Sequence, residues 1–452
     1  MTTPIYDFAR RYADFDEIRA HMPGHKGRPL LGCEPLDLTE IAGADELFDP
    51  AGIIAESEAN ASKIFGCQTL YSTEGSSLCI RAMLYLAARH ALAQCRRPVI
   101  AAARNAHKTF LTAAALLDID IVWLPQDDTN SYLESGGEQA WAACLDAPHK
   151  PTALYLTSPD YLGNIADIRA AASFCHVHDM LLLVDNAHGA YLKFLPESLH
   201  PADLGADLCC DSAHKTLPVL TGGAYLHIGN GAPEICSKYA RNALSLFAST
   251  SPSYLILESL DLCNRYLSDQ YTAELSSALA RIQQLKDALS SAGWTLSGSE
   301  PLKLTIRPKS CGYTGTALAE ILQNDRIFAE FADPDYTVLM LSPQNPAEDF
   351  AAIRNVMTAL PKRTPILTAP PKFPMPGRVM TPRQAILYSD TETLPLEQCI
   401  RRICAEFAVS CPPAVPIVIC GERITEEAAA CMKYYGIERC TVTKSSKKPY
   451  DP

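Results

Sequence analysis

The 452-residue chain lacks the roughly 18 consecutive apolar residues that a membrane span needs. It also lacks positive charge. Thirty-nine lysines and arginines stand against 51 aspartates and glutamates, for a net charge of −12. Such a surface repels phosphate backbones and anionic lipid, which argues against nucleic acid and membrane as partners. There are seventeen cysteines, but no two stand at C-x-x-C spacing, so no zinc site is nucleated and no metal is expected. The opening stretch, MTTPIYDFARRYADFDEIRAHMPGHKG, puts acids and arginines where a secretory leader would carry its apolar core. A reducing cytoplasm with mostly free, buried thiols is therefore expected. Glycine, at 23, is outnumbered by 33 prolines. Many of these follow residue 359 and mark a change of architecture there.

The composition that is present, 48% hydrophobic and 20% charged, is that of a globular protein and excludes disordered, collagen-like and coiled-coil chains. The length suggests about three domains or one large subunit with lobes. Residues 1–50 read as an extended arm. From about 51 to 230 the pattern alternates, within a large domain that runs from 51 to 250. Ala51–Phe65 and Leu78–Leu92 read as helices, and short apolar runs recur at Pro98–Ala103, Asp120–Leu124, Thr152–Thr157, Met180–Asp185, Leu208–Ser212 and Ala224–Ile228. This is the βα alternation of a mainly parallel sheet covered on both faces. Residues 251–362 read as two long helices and a small α/β layer. A proline-rich connection then leads to a separate module over 363–452.

Open parallel sheets bind ligands at the carboxyl ends of their strands. The run ending in Asp185 continues Asn186-Ala187-His188-Gly189. The next run leads into Ser212-Ala213-His214-Lys215. Asp185 and Lys215 are 30 residues apart, one crossover, so both emerge on one edge. A lysine and a carboxylate facing one site suit pyridoxal 5′-phosphate (PLP), the lysine attaching the cofactor and the aspartate keeping its ring nitrogen protonated. Alone, the pair is more simply a salt bridge with capping residues. Two further features favour the cofactor. Gly75-Ser76-Ser77 opens the apolar helix, where backbone N–H groups and a positive dipole end suit a phosphate. His107 follows a strand, where its imidazole could stack on a planar ring.

The chain resembles the bacterial ornithine/lysine/arginine decarboxylases, PLP enzymes of the aspartate-aminotransferase fold. The resemblance runs through HMPGHKG at 21–27, DLTEIAGADELFDPAGII at 37–54, RNAHKTF at 104–110, VDNAHGAYL at 184–192, DSAHKTLPVLTGGAYLHI at 211–228, STSPSYLILESLD at 249–261 and CPPAVPIVICGERIT at 411–425. It implies a fold-type-I large domain with a mainly parallel seven-stranded sheet and smaller α/β C-terminal parts. It makes Lys215 the Schiff-base lysine and places Ser212, His214, Gly75, Ser76 and Ser77 around the phosphate. His107 is implied to stack on the ring and Asp185 to pair with its nitrogen, with Ala187 on the other ring face and His188 near the ring hydroxyl. The implied reaction is decarboxylation of lysine, arginine or ornithine to a diamine or agmatine, as in polyamine biosynthesis. The implied assembly is a homodimer or dimer of dimers sharing its sites, with Ser249–Ser251 reaching the partner's phosphate. The chain resembles the family's short form.

Candidates for selecting the basic substrate are His25, Asp45, Glu46 and Glu422. Three positions depart from the family's usual pattern: Asn186 in place of Glu, Gly222 in place of Gln, and Glu74 in place of Asn beside the phosphate turn. Glu74 is the oddest, since an anion there is unfavourable unless it points away or pairs with Arg81 or Lys108. An aminotransferase or β-eliminating lyase on the same fold, or a non-catalytic regulatory relative, remains an alternative at this stage.

Overall fold

The computed structural model describes residues 1–15, 18–125, 137–372, 374–411 and 415–444. The arm opens with a helix rather than extended chain, α1 (Pro4–Asp14), which starts on a proline and buries Ile5 and Ala9. Helix α2 (Ile53–Phe65) ends at Gly66, whose φ of 76° closes it in the left-handed conformation. Strand β1 (Gln68–Ser72), which is not among the apolar runs read from sequence, leads to α3 (Gly75–Ala93), a helix buried on most of its circumference. There follow β2 (Val99–Ala102), α4 (Lys108–Leu117), β3 (Asp120–Trp123), the short α5 (Glu138–Ala143), β4 (Ala153–Thr157), α6 (Ile168–Val177), β5 (Leu181–Asp185), β6 (Leu208–Asp211), α7 (Ala213–Thr216) and β7 (Ala224–Ile228).

The seven strands form one sheet in the order β1-β7-β6-β5-β4-β2-β3. β5 and β6, and β2 and β3, pair in parallel, whereas β7 runs antiparallel to both β6 and β1. The pattern is that of a doubly covered α/β sheet. Its central strands are apolar throughout because both faces are buried: Leu181 to Val184 are at most 4% exposed.

The chain continues through α8 (Glu234–Ser245), α9 (Tyr254–Asp269) and α10 (Tyr271–Ser291) to a four-stranded antiparallel sheet. That sheet comprises β8 (Thr295–Ser297), β9 (Lys303–Arg307), β10 (Phe331–Ala332) and β11 (Thr337–Met340), with α11 (Gly315–Asn324) inserted after β9 and α12 (Ala347–Ala359) following. The tail holds α13 (Pro382–Leu387), β12 (Thr391–Pro395), α14 (Leu396–Cys399), β13 (Ala408–Cys411), β14 (Val415–Ile419), α15 (Glu426–Tyr434) and β15 (Arg439–Thr443). It builds its own core from Leu396, Cys399, Cys404, Ile417, Cys431, Met432, Cys440 and Val442. Cysteine serves there as a small apolar residue.

By compactness the chain forms two units. One comprises residues 1–97, 152–154 and 167–276; the other comprises 98–151, 155–166 and 277–452. Among the described residues, no helix is long and apolar enough to cross a membrane.

Candidate active site

In the first unit, β5 and β6 lie side by side with Asp185 paired to Cys210. Asp185 is 2% exposed, and its Oδ1 accepts the backbone N–H of Ala187 at 3.2 Å. The carboxylate thereby folds the turn that carries Ala187 and His188, both buried. One strand over, Ser212 begins α7 and Lys215 stands within it. Lys215 is exposed, and its Nζ lies 3.1 Å from Nε2 of His188. An amine, an imidazole and a carboxylate from two adjacent strand ends thus converge.

The Gly75 turn sits beside them. Gly75 has φ +70°, and open space lies where a Cβ would stand. Its N–H donates to the carbonyl of Gly222 at 2.7 Å, and the Ser212 hydroxyl donates to Oγ of Ser76 at 2.7 Å. The first turn of α3 carries no acid and its N-terminus has no side-chain cap. Glu74 turns its carboxylate onto Ser249 instead. His214 donates through Nδ1 to the carbonyl of Gly223, 3.0 Å away. The glycines at 222 and 223 are required by close approach. A Cβ on Gly222 would stand 2.8 Å from the Thr73 carbonyl oxygen, and one on Gly223 would stand 2.2 Å from Cγ1 of Val219.

These residues fit PLP. The open, uncapped N-terminus of a 19-residue helix beside the Ser76 and Ser212 hydroxyls suits a phosphate, and Lys215 and Asp185 are the amine and anion the rest of the cofactor needs.

The other sequence candidates are placed differently. His107 lies in the second unit, where it caps α4. Its Nδ1 accepts the N–H of Thr109 at 3.2 Å and lies 2.9 Å from that residue's hydroxyl. His25 bonds Asp37 at 3.1 Å through Nε2 and accepts the Gly27 N–H through Nδ1. Asp45 accepts backbone N–H groups of Ala51, Gly52 and Ile54 at 2.8–3.0 Å. Burial would raise its carboxyl, but these donors hold it below its ordinary value. Glu46 is exposed. Glu422, in the second unit, takes Arg104 in two bonds of 2.5 and 3.0 Å and the Ile419 N–H at 2.9 Å. Both Arg104 and Glu422 are buried. Asp45 and Glu422 therefore spend their oxygens inside the protein.

Two features were not singled out from sequence. Glu258, on α9, is 3% exposed, and no hydrogen bond reaches its Oε1. His200, Asp211 and His227 meet in the core, and they are the one His/Cys/Asp/Glu group among the described residues with metal-ligand spacing. Hydrogen bonds to Asp211 account for both imidazoles. The three residues stand 11 and 16 positions apart in sequence, and no motif joins them.

Sequence profiles of the Orn/Lys/Arg decarboxylase family match this chain, the major domain over residues 3–307 and the C-terminal domain over residues 370–443. The chain is 31% identical to the uncharacterized protein YaaO of Bacillus subtilis, over 95% of this chain and 93% of that one. It is 30% identical to an arginine decarboxylase of the same organism, over 94% and 92%. Among solved structures, the constitutive lysine decarboxylase of E. coli superposes with a TM-score of 0.77 at 18% identity, covering 98% of this chain and 82% of that one. The fold and these matches define a fold-type-I α/β enzyme. The chain belongs to the Orn/Lys/Arg decarboxylase family, and it is a decarboxylase rather than an aminotransferase or eliminating lyase.

Proposed function

We propose that this enzyme decarboxylates a basic amino acid with PLP held at Lys215, and that arginine is the first substrate to test. The observation that carries this reading is the convergence of Lys215, His188 and Asp185 beside the uncapped N-terminus of α3. The 30% identity to an arginine decarboxylase over nearly the whole chain supports arginine. Bound there, PLP supplies an electron sink for the charge left on the α-carbon as carbon dioxide departs.

The chain's own residues do the rest. Ser76, Ser77, Ser212 and the α3 N-terminus would hold the phosphate, with His214 and Gly75 shaping the turn around it. Asp185 would hold a proton at the ring nitrogen. Ala187 would give a small apolar wall beside the ring. Lys215 would attach the cofactor, and its amine is the group that would return a proton to the α-carbon. His188, 3.1 Å from Nζ, fixes that amine's direction.

We further propose a homodimer in a reducing cytoplasm, in which Ser249–Ser251 serves the partner's phosphate. The exposed Leu30 and Leu31 of the arm support an interface, being 89% and 90% exposed in the single chain. Free thiols throughout the described residues support the compartment. The deciding experiment measures carbon dioxide release from arginine, lysine and ornithine with PLP present. Release from one of them that vanishes in Lys215→Ala supports the reading. Release from none, with PLP bound, sinks it.

A further inference from the structure

Successive residues of a strand face opposite sides of its sheet. Asp185 and Cys210 share one side, the Cys210 Sγ lying 3.9 Å from Oδ1 of Asp185. Asn186 and Asp211 each come one residue later and face the other side. There Nδ2 of Asn186 donates to Oδ1 of Asp211 at 2.6 Å. His227 on β7 pairs with Cys209, two residues before Asp211, so it shares that side. Its Nε2 lies 3.0 Å from Oδ2 of Asp211, as does Nε2 of His200. All four side chains are fully buried.

The protons can be assigned. Nδ1 of His200 accepts the N–H of Ala202 at 3.3 Å, so its proton sits on Nε2 and points at Asp211. Nδ1 of His227 lies 2.9 Å from the Thr69 hydroxyl, which itself donates to the Cys67 carbonyl, and its Nε2 faces a carboxylate oxygen of Asp211 and so donates to it. Asp211 therefore accepts three hydrogen bonds, two on one oxygen and one on the other. Burial would raise its carboxyl, but the adjoining imidazoles of His200 and His227 hold it well below the usual range. An ionised carboxylate with three donors tolerates the core; a second carboxylate at 186 would not.

We propose that Asp211 is a positioning residue which, through Asn186, clamps the Asp185–His188 turn to the strand end that leads to Ser212 and Lys215, and that Asn186 and Asp211 are a matched pair needing one amide and one carboxylate. This rests on the functional reading above. It also gives a physical reason for an amide at 186, where the family usually has Glu.

The test compares apo wild type, Asn186→Asp, Asp211→Asn and the exchange Asn186→Asp/Asp211→Asn. PLP dissociation constants and the visible circular dichroism of the lysine-bound cofactor are read alongside apo-protein melting. In the exchange, the amide now at position 211 can still accept from both histidines and donate to the carboxylate now at position 186. Each single variant is expected to bind PLP at least about tenfold more weakly, with recovery to within about threefold in the exchange, the scale of coupling between touching groups. Should Asp211→Asn not fold, Asn186→Ala keeps the carboxylate with both histidines and carries the test. It should weaken PLP binding with melting near wild type. Single variants that bind PLP as wild type does overturn the inference, and so do losses that the exchange leaves unrepaired. If wild type itself does not hold PLP at Lys215, the functional reading falls instead.

Discussion

The Oε1 of Glu74 accepts the backbone N–H of Ser249 at 2.7 Å. The anion beside the phosphate turn is thus turned outward, neither of its sequence-suggested partners Arg81 and Lys108 being used in that bond. Glu74→Gln keeps an acceptor for Ser249 and removes the charge. It should bind PLP about three- to tenfold more tightly, by relieving roughly 1 kcal/mol of repulsion at surface dielectric. Titrating the apo protein by visible absorbance checks this. An affinity no tighter than wild type would mean that the phosphate does not feel Glu74.

Asp185→Asn separates turn-building from catalysis. The amide oxygen can still accept the Ala187 N–H, so the turn should persist and PLP should stay bound. Carbon dioxide release at full occupancy should fall by about 100- to 1000-fold, the worth of one electrostatic group in a preorganised site. Turnover within about threefold of wild type would reduce Asp185 to a turn-former.

Glu422 was a sequence candidate for substrate binding, and its bidentate pair with buried Arg104 predicts a different phenotype. Glu422→Ala leaves a guanidinium buried and uncompensated, at a cost of about 3–5 kcal/mol of stability. The KM for the amino acid should be unchanged in whatever remains folded. Urea unfolding and steady-state kinetics report the two separately, and a raised KM at unchanged stability would return Glu422 to the substrate site.

Glu258 sets a pH dependence. Burial, with the carboxylates of Asp37 and Asp261 adding to it, pushes its carboxyl up from 4.5 to about 8. Asp261 is likewise raised by burial, to about 6. A raised carboxyl is protonated in the folded state while its unfolded counterpart is ionised. The folded state therefore binds more protons between about 4.5 and 8, and stability falls as pH rises through that window. Glu258→Gln should be more stable than wild type by about 2–4 kcal/mol at pH 8 and nearly equal to it at pH 5. Urea unfolding at the two pH values decides it. An equal gain at both would show that the carboxyl does not titrate in that range.

Much of this was legible in the chain. The strands from β2 to β7 are short apolar runs bounded by polar residues, and their periodicity locates them within a residue or two. The Asp185 and Lys215 turns follow from the rule that ligands gather at strand ends, and the structure brings those turns together. Strand β1 was hidden because QTLYS is short, begins exposed and gains its order from an antiparallel partner, β7, more than 150 residues away. The α1 helix was hidden because much of its stability comes from tertiary capping: Asp261 on α9 accepts the N–H groups of Ile5 and Tyr6 at 2.9 and 3.0 Å. Asp211 carried no signal because a buried carboxylate is recognisable only by its donors, and Asn186, His200 and His227 come from three separate segments. Asp45 and Glu422 show the converse, their oxygens being taken by donors inside the protein. Sequence shows the charge but not the donors that consume it.

The division of the chain bears on its synthesis. Residues 98–151 belong to one compact unit with 277–452, yet the other unit takes up most of the chain between them. At ribosomal speeds of roughly 5–20 residues per second, that segment, joined early by 155–166, waits on the order of 10 s before 277–452 begins to emerge. Its strands β2 and β3 spend that time without the later part of their unit. The unit begun before residue 151 therefore cannot close until the ribosome has gone well beyond residue 277.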